Sequence, residues 1–518
     1  MSEVVTPGAP GSTPVAVPTT TPSALRNRTV SGVRVTLVAQ VCLALLQLGY
    51  AAVAARLLTD VDFGVIATIQ ILFRLVLQFA NLGLGAAIVQ APTVTQDQAR
   101  SAHALATLVG AGLASIVALS APLLTSVLPR HPQSGSIVRV LSLTVLMVGM
   151  SAVPVGLLRR RHAFTALAAI DVVSYVLGYP VLGLLCAAHG MGPMSLALAL
   201  VTQMAITLLL SLVLVRGTLP PWPVSPAGGR IFAAFGTGVS LISFIEFWAS
   251  SLDIFLVSRV LGPGPTGQYT RASYLVWLPA QQLGVAINRV MLSTAARFRQ
   301  AQMATRVLDG LEYLAAVLMV GLVFAALTAH PLVRLLLGPH WEQVPQLLPI
   351  MSLAVGLNTL NAWLGVSYEA LGLLRMKGLA TVGKLAVMVF GLSGVAWLDR
   401  QNLWAYAAVW AAAELTLHLT FLSGMRRLGV TVAGVVRSYR RAIGAAAAVL
   451  APAALVSWAL PPVAVGWQVA VPAVVLLVAV SYAVLRSPAC SLGLAARLAA
   501  PGLMARWGRE TTMRGERP

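Results

Sequence analysis

The chain has 518 residues, of which 58% are hydrophobic and 10% charged, with a mean hydropathy of +0.85 and a formal net charge of +20. A charged share so far below the roughly 25% of soluble domains excludes an ordinary globular protein and implies an all-α integral membrane protein. Nucleic-acid binding would need the basic residues gathered on one folded face, whereas here they fall in short breaks between apolar runs.

In chain order, residues 1–31 are rich in Pro, Thr and Val, with no positively charged leader and no continuous apolar stretch. A disordered cytoplasmic tail is expected there, not a signal peptide. A span needs about 20 mostly apolar residues, and that ruler predicts helices over 33–56, 64–88, 101–127, 137–158, 164–188 and 193–215. Six more follow over 231–260, 268–294, 307–329, 345–368, 378–397 and 402–423, then two over 439–459 and 466–485. The expected organisation is an N-lobe over 32–215, a C-lobe over 231–423, an added helix pair over 438–486 and a cytoplasmic tail over 487–518. That tail includes a segment of amphipathic character broken at Pro501.

Orientation follows from the 35 Lys and Arg residues. With the N-terminus inside and residues at span ends counted with the adjoining break, 25 of them fall on the cytoplasmic side, as in "RRRH" (159–162), "RFR" (297–299) and "RMK" (375–377), seven fall on the outer side, and Arg74, Arg289 and Lys384 lie deep within spans. This is the positive-inside pattern, with both termini cytoplasmic.

Two short segments suggest an internal repeat: "ARLLTDVDFG" (55–64) and "SRVLGPGPTG" (258–267) align at an offset of 203 residues and place helices 1 and 2 on helices 7 and 8. An even, six-helix offset preserves topology, so two halves would be related by an axis along the membrane normal.

Polar residues concentrate on the same four helices. Gln70, Arg74, Gln78 and Asn81 are spaced four, four and three apart, which stacks them along one face of helix 2. Helix 7 repeats the pattern with Ser243, Glu246, Ser250 and Asp253; helix 8 carries Gln281, Gln282, Asn288 and Arg289; helix 1 offers Gln40 and Gln47. Lipid is no partner for such faces, so they are expected to line an interior. Arg74 has two readings, a structural ion pair with Glu246 or Asp253 and a functional cation. Arg289 has a second reading as a snorkelling side chain, and Arg56, Arg259 and Arg271 read as interfacial anchors. Asp171 and Glu414 are deep carboxylates, with Lys384 a partner for Glu414 or a member of an ion-coupling set.

Other chemistries find no footing. Cys42, Cys186 and Cys490 lack CxxC spacing and imply neither zinc nor a disulfide framework. There is no GxxxxGK[ST] loop, no HExxH and no GxSxG, and the seven histidines are scattered. No cofactor or metal is expected.

The block "AARLLTDVDFGVIATIQILFRLVLQFANLGLGAAIVQ" (54–90) resembles the Wzx-type polysaccharide repeat-unit flippases of the MOP exporter superfamily, whose pattern reads "ARLLTPEDFG" followed by "DLGLGAALIQ". Further similarity lies at 153–164, 252–283 and 340–365, so the resemblance spans about 30–425. Asn81 stands where the family often has Asp. The resemblance implies fourteen helices in two six-helix lobes plus two, and an oligosaccharide on undecaprenyl pyrophosphate flipped across the bacterial cytoplasmic membrane by alternating access. It implies Arg74 and Arg289 as head-group ligands, and Gln70, Gln78, Asn81, Gln281, Gln282 and Asn288 as sugar contacts. Glu246 and Asp253 would serve charge balance or coupling to H+ or Na+. Implied partners are the polyprenyl-linked glycan, membrane lipid and polysaccharide assembly proteins. The alternatives are a multidrug or ion antiporter of the same superfamily, a membrane-embedded glycan polymerase or ligase, and a non-transporting scaffold.

Overall fold

Without water, an apolar run must satisfy its backbone polar groups within itself, which selects the helix. The computed structural model describes residues 22–80, 84–91, 93–127, 131–216, 240–295, 300–370, 373–426 and 430–459. They form α1 (Pro22–Leu57), α2 (Asp60–Ala80), α3 (Leu84–Gln90), α4 (Gln96–Leu119), α5 (Ala121–Val127), α6 (Ser134–Arg160) and α7 (Phe164–Val176). A π-helical turn (Leu177–Gly183) leads into α8 (Leu184–Ala188) and α9 (Pro193–Leu214). Then come α10 (Ser240–Leu261), α11 (Pro263–Ala295), α12 (Gln300–Leu336), α13 (Val344–Ala370), α14 (Leu374–Leu398), α15 (Leu403–Met425) and α16 (Val432–Ala459). Nine helices among the described residues are long and apolar enough to cross a membrane. The chain is a multi-pass helical membrane protein.

The first thirteen expected spans each find helix at their described positions; the fourteenth, 466–485, and the tail lie outside the described residues. Helix begins at Pro22, ahead of the expected 33. The second expected span is met by α2 and α3, with 81–83 outside the description. Local signals explain several ends. Thr95 Oγ1 accepts from the Gln98 amide at 3.2 Å while Gln98 Oε1 accepts from the Thr95 amide at 2.9 Å, a capping box that starts α4. Pro193 occupies the first turn of α9 after Gly192, whose φ of 57° suits glycine.

The chain divides into two compact units. Unit 1 comprises Met1–Tyr274, Leu336–Val344 and Leu385–Val409; unit 2 comprises Leu275–Leu335, Pro345–Lys384 and Trp410–Pro518. Inside unit 1, α6 is the central post, packed through small residues. A Cβ on Gly149 would stand 3.0 Å from the Gly110 Cα of α4, and one on Gly156 would stand 3.0 Å from the Gly85 carbonyl oxygen of α3. Glycine at these crossings lets backbones approach, the usual device of membrane helices. Arg160 closes this end of α6 by donating to the carbonyls of Ile88, at 2.8 Å, and Ala91.

The two segments of the proposed repeat meet within unit 1, where the first turns of α2 and α11 pack backbone to backbone. Around them Gln268 Nε2 donates to Asp60 Oδ2 at 3.2 Å and to the His340 carbonyl at 3.3 Å, and Trp341 Nε1 donates to the Ala55 carbonyl at 3.1 Å. The Thr68 and Ser258 hydroxyls are buried and 2.6 Å apart.

Unit 2 is built around Trp363, Leu364, Tyr368, Leu417 and Phe421. The two rings that carry a polar atom have it satisfied: Trp363 Nε1 donates to the Val307 carbonyl at 3.1 Å, and the Tyr368 hydroxyl to the Phe421 carbonyl at 2.6 Å.

Candidate functional site

The helix crossing in unit 1 delivers a cation into a set of aromatic rings. Arg271, two turns into α11, places its guanidinium carbon 4.0 Å from the ring centroid of Phe63 and 4.9 Å from that of Tyr274. Phe63 is buried and backed by Trp341 at 5.6 Å. A second wall comes from α1, α7 and the π-helical turn: Tyr175 and Tyr179 stack at 5.1 Å with planes 21° apart, and Tyr50 meets them edge-on at 6.4 and 5.1 Å. Tyr50, Tyr175, Tyr179 and Tyr274 all lie within electrostatic reach of the guanidinium.

The sequence "YVLGYPVLG" (175–183) explains the second wall. Pro180 supplies no amide hydrogen to the helix ladder, and around it the turn widens to π geometry, a form that recurs at functional positions. Gly178 and Gly183 let α9 approach: a Cβ on Gly178 would stand 2.7 Å from the Ala199 carbonyl oxygen. Tyr175 and Tyr179 therefore emerge on the side facing Tyr50.

An arginine keeps its charge in any protein setting. Ring faces offset part of its desolvation, but its donors want an anion. Arg271 Nε is sealed from solvent with no hydrogen-bond partner, and among the described residues no carboxylate pairs with the guanidinium. A planar fork of donors left open in this way matches a phosphate or pyrophosphate, which it can hold through two parallel bonds. The surrounding hydroxyls and ring faces suit sugar hydroxyls and sugar CH faces.

Arg271 was expected at the membrane interface as an anchor; the structure instead sets it among the rings of Phe63 and Tyr274. The clue available in the sequence was tyrosine: Tyr50, Tyr175, Tyr179, Tyr269 and Tyr274 make up half of the ten in the chain and all fall in this unit. Of the other polar residues expected to line an interior, Gln70 is half-buried and Arg74 exposed on α2, and Gln281 is exposed on α11. Gln78, Gln282, Asn288 and Arg289 lie on these helices with side chains outside the description, and Asn81 lies wholly outside it. Asp253 is buried on α10 and accepts a hydrogen bond from the Tyr269 hydroxyl at 2.9 Å. Glu246, on the same helix, is half-buried.

In unit 2 the open question about Lys384 is answered: its Nζ is 2.6 Å from Glu414 Oε1, and both side chains are buried. Asp171 lies within the span on α7, on its exposed face.

The fold defines a multi-pass helical membrane protein with a guanidinium caged by aromatic rings in its first unit. Residues 53–346 match the family of polysaccharide biosynthesis proteins, and the chain belongs to it. It is 22% identical over 338 residues to the lipopolysaccharide biosynthesis protein WzxC of Escherichia coli (strain K12), covering 64% of this chain and 66% of that one. It is 25% identical over 316 residues to the succinoglycan biosynthesis transport protein ExoT of Rhizobium meliloti (strain 1021), covering 59% and 62%. The chain thus spans just under two thirds of the length of these relatives. Its fold is that of the lipid II flippase MurJ in an inward closed conformation, with a TM-score of 0.68 over 88% of this chain and 98% of that one at 12% identity.

Proposed function

We propose that this protein is a transporter, not an enzyme, that carries an oligosaccharide on polyprenyl pyrophosphate from the inner to the outer leaflet of the bacterial cytoplasmic membrane for polysaccharide assembly. Its termini are cytoplasmic, and it works by alternating access without a cofactor. The single observation that carries this reading is Arg271, caged by rings and lacking an acidic partner among the described residues. Family membership and the transport role named for one relative agree with it. The pyrophosphate would sit on Arg271, with the first sugars against Tyr50, Tyr175 and Tyr179, while the polyprenyl tail stays in lipid. Arg74 and Arg289 are further cations for the head group. Gln70, Gln78, Asn81, Gln281, Gln282 and Asn288 are candidate sugar contacts, and Glu246 and Asp253 balance charge.

The arginine also argues against the multidrug antiporter, because a guanidinium on the aromatic faces repels the cations such faces would otherwise attract. Reconstitution into vesicles with a fluorescent polyprenyl-pyrophosphate glycan tests the reading. Protein-dependent movement of the glycan to the quencher-accessible leaflet supports it. Glycan that stays put while a cationic dye is moved overturns it.

A further inference from the structure

Six side chains of unit 2 form one connected set of polar contacts. Glu414 on α15 has no exposed surface. Its Oε1 accepts from Lys384 Nζ of α14 at 2.6 Å and from Asn358 Nδ2 of α13 at 2.9 Å. Asn361 Nδ2 donates at 2.9 Å both to Glu414 Oε2 and to the Glu414 carbonyl. With its amide hydrogens turned to Glu414, Asn361 presents Oδ1 to His418 Nδ1 at 2.8 Å. An amide oxygen only accepts, so the proton of a neutral His418 must reside on Nδ1, which leaves the lone pair on Nε2. That nitrogen faces the hydroxyl of Tyr439 on α16.

The polarity of the chain is therefore fixed from its buried end. Glu414 sets Asn361, Asn361 sets the histidine tautomer, and His418 is left with one vacant proton position, on the side of Tyr439. Tyr439 is half-buried and flanked by exposed Arg437 and Arg440. Glu414 and His418 are four residues apart and share a helix face. A protonated His418 would thus sit one turn from a carboxylate already paired with Lys384.

We propose that His418, Glu414 and Lys384 form a proton-binding site in unit 2, in which a proton lodges on His418 Nε2 and the imidazolium so formed competes with Lys384 for Glu414. The Nε2–H bond forms with a proton delivered from water on the α16 side, and the Tyr439 hydroxyl turns from donor to acceptor. The site then holds two cations against one carboxylate, which loosens the Lys384 contact between α14 and α15. Other titratable groups stand on the helices packed around this set. Tyr368 of α13 donates to the Phe421 carbonyl. On the rim, Arg441 of α16 lies 3.6 Å from Glu312 of α12, with 63% of the arginine side chain exposed. Neither competes directly for Glu414.

The test needs no glycan, so it stands or falls apart from the transport reading. The full-length protein, labelled with 15N in the histidine rings and reconstituted in vesicles, is followed by magnetic resonance against pH, with His418 assigned by its loss in His418→Gln. We expect the Nδ1–H tautomer at neutral pH and an imidazolium on acidification. Glu414→Gln lowers the proton affinity of His418 about tenfold or more, and Lys384→Met raises it by a similar factor, since an opposite or like charge at this range shifts a titration by 1 to 3 pH units. An Nε2–H tautomer at neutral pH overturns the proposal, as does a titration that neither substitution moves. Should both variants fail to fold, the tautomer and the titration of the unmodified protein decide.

Discussion

Gly64 and Gly267 stand in a reciprocal relationship: a Cβ on Gly64 would overlap the Pro263 carbonyl, and a Cβ on Gly267 would overlap the Asp60 carbonyl. The same 203-residue offset relates Gly64 to Gly267 and Asp60 to Pro263, so each helix start packs on the equivalent of itself. The two segments "ARLLTDVDFG" and "SRVLGPGPTG" meet in a local pseudo-twofold contact. Because the obstructing atoms are backbone, neither side can yield cheaply. Gly64→Ala and Gly267→Ala should each destabilise the protein by about 1–3 kcal/mol or more, as overpacking does. Gly112→Ala, at a helical position with nothing within 4 Å, should be neutral or stabilise by up to about 1 kcal/mol. Thermal unfolding of the three variants in detergent checks the contrast, and equal melting temperatures would show that the helices do not cross here.

The Lys384–Glu414 pair predicts strong coupling. Removing one charge leaves the other buried, so Lys384→Ala should cost about 3–5 kcal/mol, and Glu414→Ala a similar amount. Lys384→Met combined with Glu414→Leu should cost much less than the sum, because no bare charge remains. A double-mutant cycle on unfolding midpoints measures this, and strict additivity would mean that the two side chains do not meet.

Trp341 joins its loop to α1 through one hydrogen bond and to Phe63 through its ring. Trp341→Phe keeps most of the ring packing and removes the donor to the Ala55 carbonyl. The expected loss is about 1 kcal/mol, read as a small fall in the unfolding midpoint, whereas Trp341→Ala should lose about 3–5 kcal/mol with the ring.

What was legible in the sequence was whatever depends on local pattern. Apolar length located the helices, because a span has only one backbone solution in lipid. The breaks at Gly192-Pro193 and at Thr95 through Gln98 follow from their own residues. What was not legible depended on partners distant in the chain. Arg271 looked like an anchor because it lies near a helix end, and only the approach of Phe63, 208 positions earlier, turns it into a caged cation. His418 looked isolated among scattered histidines until α13 brought Asn361 and α16 brought Tyr439. Lys384 and Glu414 were a pairing the residues permitted, and the packing of α14 on α15 made it.

The most direct test of the central claim measures glycan flipping and head-group binding by Arg271 variants in vesicles. Arg271→Ala should lose most of the transport of a fluorescent polyprenyl-pyrophosphate glycan, by about tenfold or more, while its unfolding midpoint stays near that of the unmodified protein. Arg271→Lys, which keeps the charge and loses the fork, should retain a part of it. Transport by a folded Arg271→Ala protein at the unmodified rate would contradict the assignment of the pyrophosphate to this cage.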